Sequence, residues 1–458
     1  MGLRLYNTRT RTVEPFAPLD GQRVRMYVCG LTPSAETHLG HARSFLFFDI
    51  LRRYLIHRGY DVHYVRNVTD VDDRSIAASA VLGVPYWQIV QGYIDSFQRS
   101  MARLGVAEPD DAPRATAYIP QILMMIGELI ALDYAYVVKD GIYYRVKAFA
   151  RYGELSQRNV DQMLAGARIA VGEYKEDVLD FALWKFAKPG EPSWESPWGA
   201  GRPGWHIECS AMSRALLGEP FDIHGGGVDL IFPHHENEIA QSEVLMPAPP
   251  MANFWLHGGL LMFDGKKMSK SLGNFEPLSA LLDRHDPLAI RLLFLQTGYR
   301  KSMNFTEESI VGATVALERL RKAYHAFGEA PGSTQVAPLA ERFFAALDDD
   351  MNTSGGLGFL FDLAAARFVD DAAGARALFR DALGIFGIAG VLERQEPQAE
   401  LPAFDAATIE RIERLIGERN AARKARDFAR ADRLRAELSS EHIALTDNSD
   451  GTTTWSLD

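Results

Sequence analysis

The sequence contains few cysteines, no long apolar run and no positive net charge. Cys29 and Cys209 are the only cysteines among 458 residues, which excludes a disulfide framework. No apolar run approaches the ~18 to 20 residues of a membrane span, and Met1–Tyr6 lacks the hydrophobic core of a secretory signal. We therefore expect a cytoplasmic protein without a membrane segment. The net charge of −11 weakly disfavours nucleic-acid binding without excluding it, because RNA contacts need only local basic surface.

The length and the pattern of strands and helices predict a large α/β enzyme. A chain of 458 residues with 47% hydrophobic content supports about three domains with ample core. An apolar strand at Val24–Val28, a helix at Ser44–Ile56 and a strand at Val62–Val65 predict a βαβ unit at the start of a nucleotide-binding fold. Short β-like runs follow from about residue 134 to 200 and indicate an insertion into that fold. Helical spacing then dominates after Phe275.

Two motifs predict a nucleotide site. His38-Leu39-Gly40-His41 falls where the first strand turns into a helix, and a helix N-terminus offers unpaired N–H donors and a partial positive charge to a phosphate. Lys267-Met268-Ser269-Lys270-Ser271 lies much later, between two glycines, and its lysines would add cations to the same anion. Each motif alone is compatible with chance or with a solvated surface turn. Their order and context favour a functional pair.

The two cysteines also predict a metal site. In their simplest role, Cys29 and Cys209 would be two small buried hydrophobic residues. His234 and Glu238, however, are spaced to lie on one face of a helix. Two thiolates, one imidazole and one carboxylate form a plausible ligand set for zinc.

These motifs resemble those of the class I aminoacyl-tRNA synthetases, and the cysteines narrow the resemblance to the cysteinyl-tRNA synthetase family. It spans nearly the whole chain and is carried by Tyr27–Arg43, Asn67–Asp73, Trp205–Ser213, His224–Glu238, Lys267–Phe275 and Glu418–Trp455. The resemblance implies that ATP activates L-cysteine to an adenylate, which passes to tRNA(Cys). It also implies one zinc that selects the cysteine thiolate, and Mg²⁺ with ATP. We also expect a monomer.

The resemblance further implies a fold class and a domain order. A Rossmann-like α/β catalytic domain carries an inserted domain and is followed by a helical bundle and a small C-terminal α+β domain. The expected boundaries are 1–133 for the first catalytic half, 134–203 for the inserted connective peptide, 204–275 for the second half with the Lys-Met-Ser-Lys-Ser loop, 276–404 for the stem-contacting bundle, and 405–458 for the anticodon-binding domain.

Residue roles follow from the same resemblance. The expected catalytic residues are His38, His41, Lys267 and Lys270; the ATP-binding residues are His38, Gly40, His41, Gly227, Asp229 and Lys270; and the cysteine-pocket residues are Gly30, Thr69, Trp205, His206 and His224. Cys29, Cys209, His234 and Glu238 would hold the zinc. Asp229 could equally be a plain turn carboxylate, and the pocket residues could be ordinary core.

The basic tail predicts an RNA-facing surface. Its candidate tRNA contacts are Arg419, Arg423, Lys424, Arg426 and Arg430, in a charged helical stretch between Thr408 and Leu438, and a hairpin is expected over Ile443–Trp455. A charged helix is also compatible with a merely solvated face.

The sequence is also compatible with two alternative functions. Residues 30–37 and His41 depart from the usual pattern of the tRNA enzyme and look closer to the ligase of mycothiol synthesis, which joins cysteine to glucosaminyl-inositol. That ligase would share the zinc, the ATP and the adenylate, but it needs no anticodon-binding tail. A catalytically inactive tRNA-binding protein is a third possibility, and the intact His38, His41, Lys267 and Lys270 disfavour it.

Overall fold

The computed structural model describes residues 2–158, 174–263, 265–267, 276–327, 334–366, 369–393, 406–425, 427–440, 443–447 and 453–457. The chain forms two compact units, Met1–Leu392 and Glu393–Asp458. Within the described ranges, none of the helices combines the length and the apolar character that a membrane crossing requires.

The first unit begins with the predicted βαβ arrangement. Its elements up to residue 131 are β1 (Arg4–Asn7), β2 (Thr12–Pro15), β3 (Arg23–Leu31), α1 (Leu39–His57), β4 (Asp61–Val68), α2 (Asp73–Leu82), α3 (Tyr86–Arg103) and α4 (Ile119–Ala131). Strands β3 and β4 pair in parallel, as expected for strands joined by a helix. Helix α1 begins earlier than the apolar pattern from Ser44 indicated, because the His38–His41 motif itself forms the first turn.

A small antiparallel sheet follows, within the region predicted as an insertion. Its strands are β5 (Ala135–Val138), β6 (Gly141–Tyr144), β7 (Phe181–Phe186) and β8 (Gly201–Pro203), and each pairs with the next in chain order.

The main sheet is then completed by elements of the second half. These are α5 (Trp205–Leu217), β9 (Phe221–Gly227), α6 (Glu236–Glu243) and β10 (Ala252–Gly258). The strand order is β10-β9-β3-β4, and all of the pairings are parallel. The carboxyl ends of parallel strands meet at one edge of a sheet, where open α/β proteins bind ligands. Cys29, Gly227 and Gly258 all lie at that edge.

The rest of the first unit is a three-stranded sheet and a helical region. The elements are β11 (Leu261–Phe263), β12 (Lys266–Lys267), α7 (Leu278–Arg284), α8 (Pro287–Leu295), β13 (Met303–Phe305), α9 (Glu307–Ala326), α10 (Val336–Asp348), α11 (Thr353–Ala365) and α12 (Ala372–Phe386). The strand order is β12-β11-β13. Arg291 on α8 is fully buried and joins this region to α1, because it pairs with Asp49 and donates to the carbonyl of Phe386 at 3.0 Å.

The second unit pairs two helices with a hairpin. Its elements are α13 (Ala406–Lys424), α14 (Phe428–Ser440), β14 (Ile443–Asp447) and β15 (Thr453–Leu457), and the two strands are antiparallel. Ile412, Leu438 and Ile443 form its buried core. The hairpin agrees with the prediction, whereas the expected continuous charged stretch is divided into two helices.

Candidate active site

The four predicted metal ligands meet in one buried cluster. Cys29 lies near the end of β3, Cys209 lies on α5, His234 lies in the short helical turn Ile231–His235, and Glu238 lies on α6. The two sulfur atoms are 3.7 Å apart. Glu238 Oε1 lies 3.5 Å from the sulfur of Cys29 and 3.1 Å from His234 Nε2. The four residues expected as ligands, although far apart in sequence, therefore converge in one buried cluster.

A second possible ligand group overlaps the first. Cys29 and Glu238 also lie close to His224 and His235, so either set of four could hold a metal ion. His224 Nε2 is 2.8 Å from Glu238 Oε2, and His235 Nε2 is 3.3 Å from the sulfur of Cys29. Both distances suit hydrogen bonds to ligands. His224 and His235 therefore lie in direct contact with Glu238 and Cys29.

A chain of hydrogen bonds extends behind His235. Its Nδ1 lies 2.8 Å from His257 Nε2, and His257 Nδ1 lies 2.8 Å from the Thr8 hydroxyl. When Cys29 is a thiolate, His235 must donate to it from Nε2. His257 then donates to His235, and Thr8 donates to His257. Sequence analysis missed His235, which directly follows His234. It also missed His257, which lies near the end of the apolar strand β10 and belongs to no motif.

Burial and charge in the cluster shape its protonation. Burial raises the pKa of Cys29, whereas the hydrogen bond from Cys29 lowers the pKa of Cys209 to about 6. Burial alone would lower the pKa of His234, but the negative charges of Glu238 and Cys209 raise it to about 10. The cluster therefore concentrates acidic groups that retain protons in a buried volume. A bound cation would stabilise the deprotonated forms of these groups.

The predicted pocket residues lie around this cluster. Trp205 is 41% exposed, and its ring stacks on that of His234 with centroids 4.4 Å apart. His206 Nδ1 lies 2.9 Å from His234 Nδ1. The buried ring of His224 stacks on Trp255 with centroids 4.4 Å apart. Trp205 and His206 therefore contact His234, and His224 contacts Glu238.

Gly30 and Thr69, the other two residues expected in the cysteine pocket, are linked through Asn67. The Gly30 N–H donates to Asn67 Oδ1 at 2.8 Å, and Asn67 Nδ2 donates to the Thr69 hydroxyl at 3.4 Å. A Cβ at Gly30 would lie 1.7 Å from the Asn67 carbonyl oxygen. Only glycine lets the ends of β3 and β4 approach this closely.

The first motif caps the helix as predicted. His38 is the N-cap of α1, and its Nδ1 accepts a hydrogen bond from the Gly40 N–H at 3.0 Å. His41 Nδ1 accepts from the His38 N–H at 3.5 Å, and the two rings stack 3.9 Å apart. Since each Nδ1 is an acceptor, Nε2 is the nitrogen that carries the proton.

Both imidazoles are neutral at physiological pH. Burial lowers the pKa of His38. Burial, followed by the nearby charges of His38 and Arg74, lowers the pKa of His41 to about 3. The motif therefore offers neutral N–H donors at the positive end of a helix, an arrangement suited to an anion.

The structure describes only part of the other residues expected to bind the nucleotide. Gly227 ends β9, and a Cβ there would lie 2.4 Å from Asp229 Oδ1. Asp229 is exposed, and its negative charge acts on His38. The main chain of Lys267 lies in β12, whereas its side chain and all of Lys270 are outside the described residues.

The structure corrects one of the predicted tRNA contacts. Arg419 is only 2% exposed and donates to Asn420 Oδ1 at 3.1 Å and to the Thr453 hydroxyl at 3.4 Å. It holds α13 to the hairpin, so its assignment as an RNA contact is wrong. Arg423 and Arg430 are exposed. Arg426 and the side chain of Lys424 lie outside the described residues.

Comparisons with known proteins decide the family. The family described as "tRNA synthetases class I (C) catalytic domain" matches residues 15–315. A protein of Pseudomonas aeruginosa (strain LESB58) named Cysteine–tRNA ligase is 47% identical over 463 residues, which cover 99% of each chain. The chain belongs to the cysteine–tRNA ligase family. A second relative with the same name, from Geobacter sulfurreducens, is 46% identical over 482 residues that cover 100% of both chains.

Solved structures agree on the fold. A methionyl-tRNA synthetase of Mycobacterium tuberculosis in complex with methionyl-adenylate has a TM-score of 0.58 at 16% identity, with 81% of this chain and 91% of that chain covered. A LeuRS–tRNA–LeuAMS complex from Agrobacterium radiobacter K84 has a TM-score of 0.61 at 12% identity, with 82% and 86% covered. The predicted family and fold class are confirmed, and the mycothiol-ligase alternative gains no support from these relatives.

Proposed function

We propose that the chain activates L-cysteine with ATP and transfers the cysteinyl group to the 3′-terminal adenosine of tRNA(Cys). The observation that carries this proposal is the buried cluster of two thiols, His234 and Glu238. It lies at the same sheet edge as the His38–His41 helix start, in a member of the cysteine–tRNA ligase family. A thiol-selecting site beside a phosphate-binding site suits the first step of this reaction.

Zinc would be the metal of this site, and Cys29, Cys209, His234 and Glu238 would hold it. With the usual Zn–S distance of ~2.3 Å and Zn–N or Zn–O distances of ~2.1 Å, a tetrahedron has edges of roughly 3.8 Å (S–S), 3.6 Å (S–O) and 3.4 Å (N–O). The corresponding distances here are 3.7, 3.5 and 3.1 Å. The donor atoms therefore fit zinc before any ion is added. The alternative set has one thiolate fewer and a 2.8 Å His224–Glu238 contact that is too short for such an edge.

Zinc in this position would distinguish cysteine from serine. When bound, it lowers the pKa of a substrate thiol and prefers the resulting thiolate to a neutral hydroxyl. Pocket size alone discriminates poorly between such similar side chains. His224 and His235, which hydrogen-bond to Glu238 and Cys29, orient those two ligands.

The residues of α1 and the lysine loop serve the phosphates. In the first step a carboxylate oxygen of cysteine attacks the α-phosphorus of ATP, the bond to the bridging oxygen breaks, and pyrophosphate leaves. His38 and His41 donate from Nε2 to the phosphoryl oxygens as their charge grows, and Lys267 and Lys270 neutralise the pyrophosphate. Asp229 holds the ribose, and Mg²⁺ accompanies the ATP.

In the second step a ribose hydroxyl of the tRNA attacks the adenylate carbonyl and releases AMP. The second unit would hold the tRNA, with Arg423 and Arg430 as the exposed described cations of the predicted set. We also propose that the chain is monomeric and cytoplasmic, and that its domains follow the boundaries expected from the sequence.

Exchange of pyrophosphate into ATP tests the proposal. The purified protein should support exchange with cysteine and far less with serine, and it should then charge tRNA(Cys). Exchange without tRNA charging, combined with ligation of cysteine to glucosaminyl-inositol, would replace the proposal with the sugar ligase. The absence of cysteine-dependent exchange would reject both functions.

A further inference from the structure

Arg43 is a buried cation whose hydrogen-bond partners among the described residues are backbone oxygens. It lies in the second turn of α1 and is 6% exposed. Its guanidinium donates to the carbonyls of Gly259 (3.1 Å), Leu260 (2.8 Å), Gly298 (3.4 Å) and Lys301 (2.5 Å). Within the described ranges no carboxylate forms an ion pair with it. Burial lowers its pKa to about 10, so it remains charged at neutral pH.

The four carbonyls belong to two segments that pack against each other. Gly259 and Leu260 connect β10 to β11, and the Gly298–Lys301 turn precedes β13. The Gly259 N–H donates to the Tyr299 carbonyl at 2.7 Å. A Cβ at Gly259 would lie 2.6 Å from the carbonyl oxygens of Arg300 and Lys301. The two segments therefore form one tightly packed pair of loops, and Arg43 joins it to α1.

This pair of loops supports the sheet that carries a catalytic lysine. Strand β11 pairs with β13 on one side and with β12, which contains Lys267, on the other. Arg43 lies two residues after His41, at the base of the helix turn that offers the N–H donors. One side chain thus connects the two halves of the proposed nucleotide site.

We propose that Arg43 is a positioning residue for adenylate formation, which holds the β11–β12 hairpin at a fixed distance from the first turn of α1. The inference rests on the proposed function. Arg43 contacts none of the reacting atoms in this account; it acts through the position of Lys267 relative to His38 and His41.

Lysine cannot replace this contact. A guanidinium presents five donors in a planar fork, whereas an ammonium presents three donors at one point. Carbonyls of two separate segments would therefore lose partners in an Arg43→Lys variant, although the charge is retained. Displacement of catalytic groups by about 1 Å can cost on the order of 100-fold in rate.

The test is ATP-pyrophosphate exchange by the full chain. Arg43→Lys should lower kcat about 10- to 100-fold, while the KM for cysteine and the zinc content stay within about twofold of the native values. The matched control is Arg52→Gln, which removes a guanidinium from the same helix. The Arg52 guanidinium donates hydrogen bonds to the Glu108 carbonyl and to Asp110. This control should retain native kcat.

A second variant acts from the opposite side of the contact. Gly259→Ala keeps Arg43 but forces the two segments apart, so it should lower kcat in the same selective way. Native kcat in both variants would overturn the role of Arg43. A parallel loss of kcat, cysteine binding and zinc would also overturn it, because such a loss indicates a general folding role. A native chain without cysteine-dependent exchange would instead overturn the proposed function, on which this inference rests.

Discussion

His41 should act as a neutral hydrogen-bond donor over the whole physiological pH range. Its pKa is lowered to about 3, chiefly by burial. At pH 6 about one molecule in a thousand would then carry an imidazolium, compared with about three quarters of molecules for an imidazole of ordinary pKa, ~6.5. Because Nδ1 accepts from the His38 N–H, the donated proton is on Nε2.

Two substitutions separate donation from charge. His41→Ala removes the donor, and the loss of one preorganised donor to a transition state costs about 2.7 to 4 kcal/mol, or 10²- to 10³-fold in rate. His41→Asn keeps an N–H donor that does not titrate, so its loss should be smaller. The rate of adenylate formation should be measured in single turnovers at saturating ATP and cysteine, from pH 6 to pH 8.

The ratio of native to His41→Asn rates is the decisive quantity, because substrate and zinc ionisation cancel in it. We expect that ratio to be constant within about twofold. If His41 instead titrated near 6.5, the neutral fraction would fall about fourfold between pH 8 and pH 6, and the ratio would follow it. A change of that size would refute the neutral-donor account.

The same pKa has a consequence for stability. A histidine whose folded-state pKa is below its unfolded value contributes stability that is complete above pH ~6.5 and is lost as the pH falls toward 3. For His41 the loss at pH 5 is at most about 2 kcal/mol. The His41→Asn protein should therefore lose less stability than the native protein between pH 8 and pH 5 in urea unfolding. Equal losses would contradict the lowered pKa.

Three further predictions address the metal, the core and the tail. Cys209→Ala should remove the single zinc found by metal analysis of the native protein, and undiminished zinc would exclude the proposed ligand set. Arg291→Met should lower the free energy of unfolding of the first unit by about 3 kcal/mol. This is the low end of the range for breaking a buried ion pair, because Asp49 keeps its contact with Arg53. Urea unfolding measures the change, and a value under about 1 kcal/mol would refute the prediction. Removing residues 393–458 should leave cysteine-dependent pyrophosphate exchange intact while abolishing most tRNA charging. Unchanged charging would exclude the tail as a tRNA-binding unit.

The sequence predicted the parts of the site that depend on local structure. A His-rich turn between an apolar strand and an amphipathic stretch can hardly lie elsewhere than at a helix start, and His38 is the N-cap. The convergence of Cys29 with Cys209 was also predictable, but for a chemical reason. Two thiols with a helix-spaced His234 and Glu238 are a recognisable donor set, although 180 residues separate the cysteines.

The remaining features depend on tertiary packing and have no sequence signal. Arg43 binds backbone carbonyls, which every residue possesses, so no pattern identifies its partners. His257 reaches the cluster only because β10 lies beside β9. In the tail, the density of arginines indicated a basic surface, but composition cannot distinguish the inward-facing Arg419 from the exposed Arg423.

The two halves of the proposed site, the Cys29–Cys209–Glu238 cluster and the first turn of α1, favour ligands of opposite charge. The cluster of Cys29, Cys209 and Glu238 concentrates acidic groups in a buried volume, so it is stable only with protons or a cation. The first turn of α1 instead offers N–H donors near the charge of Arg43, which pairs with no carboxylate in the described part of the chain, and therefore favours an anion. Under the proposed function, a zwitterionic amino acid with a thiol, bound beside ATP, would satisfy both environments at once. Its sulfur would bind the proposed zinc, and its carboxylate would attack the α-phosphorus held by the donors. The parallel sheet makes this possible because its adjacent strands end at one edge, where a small substrate can reach both environments.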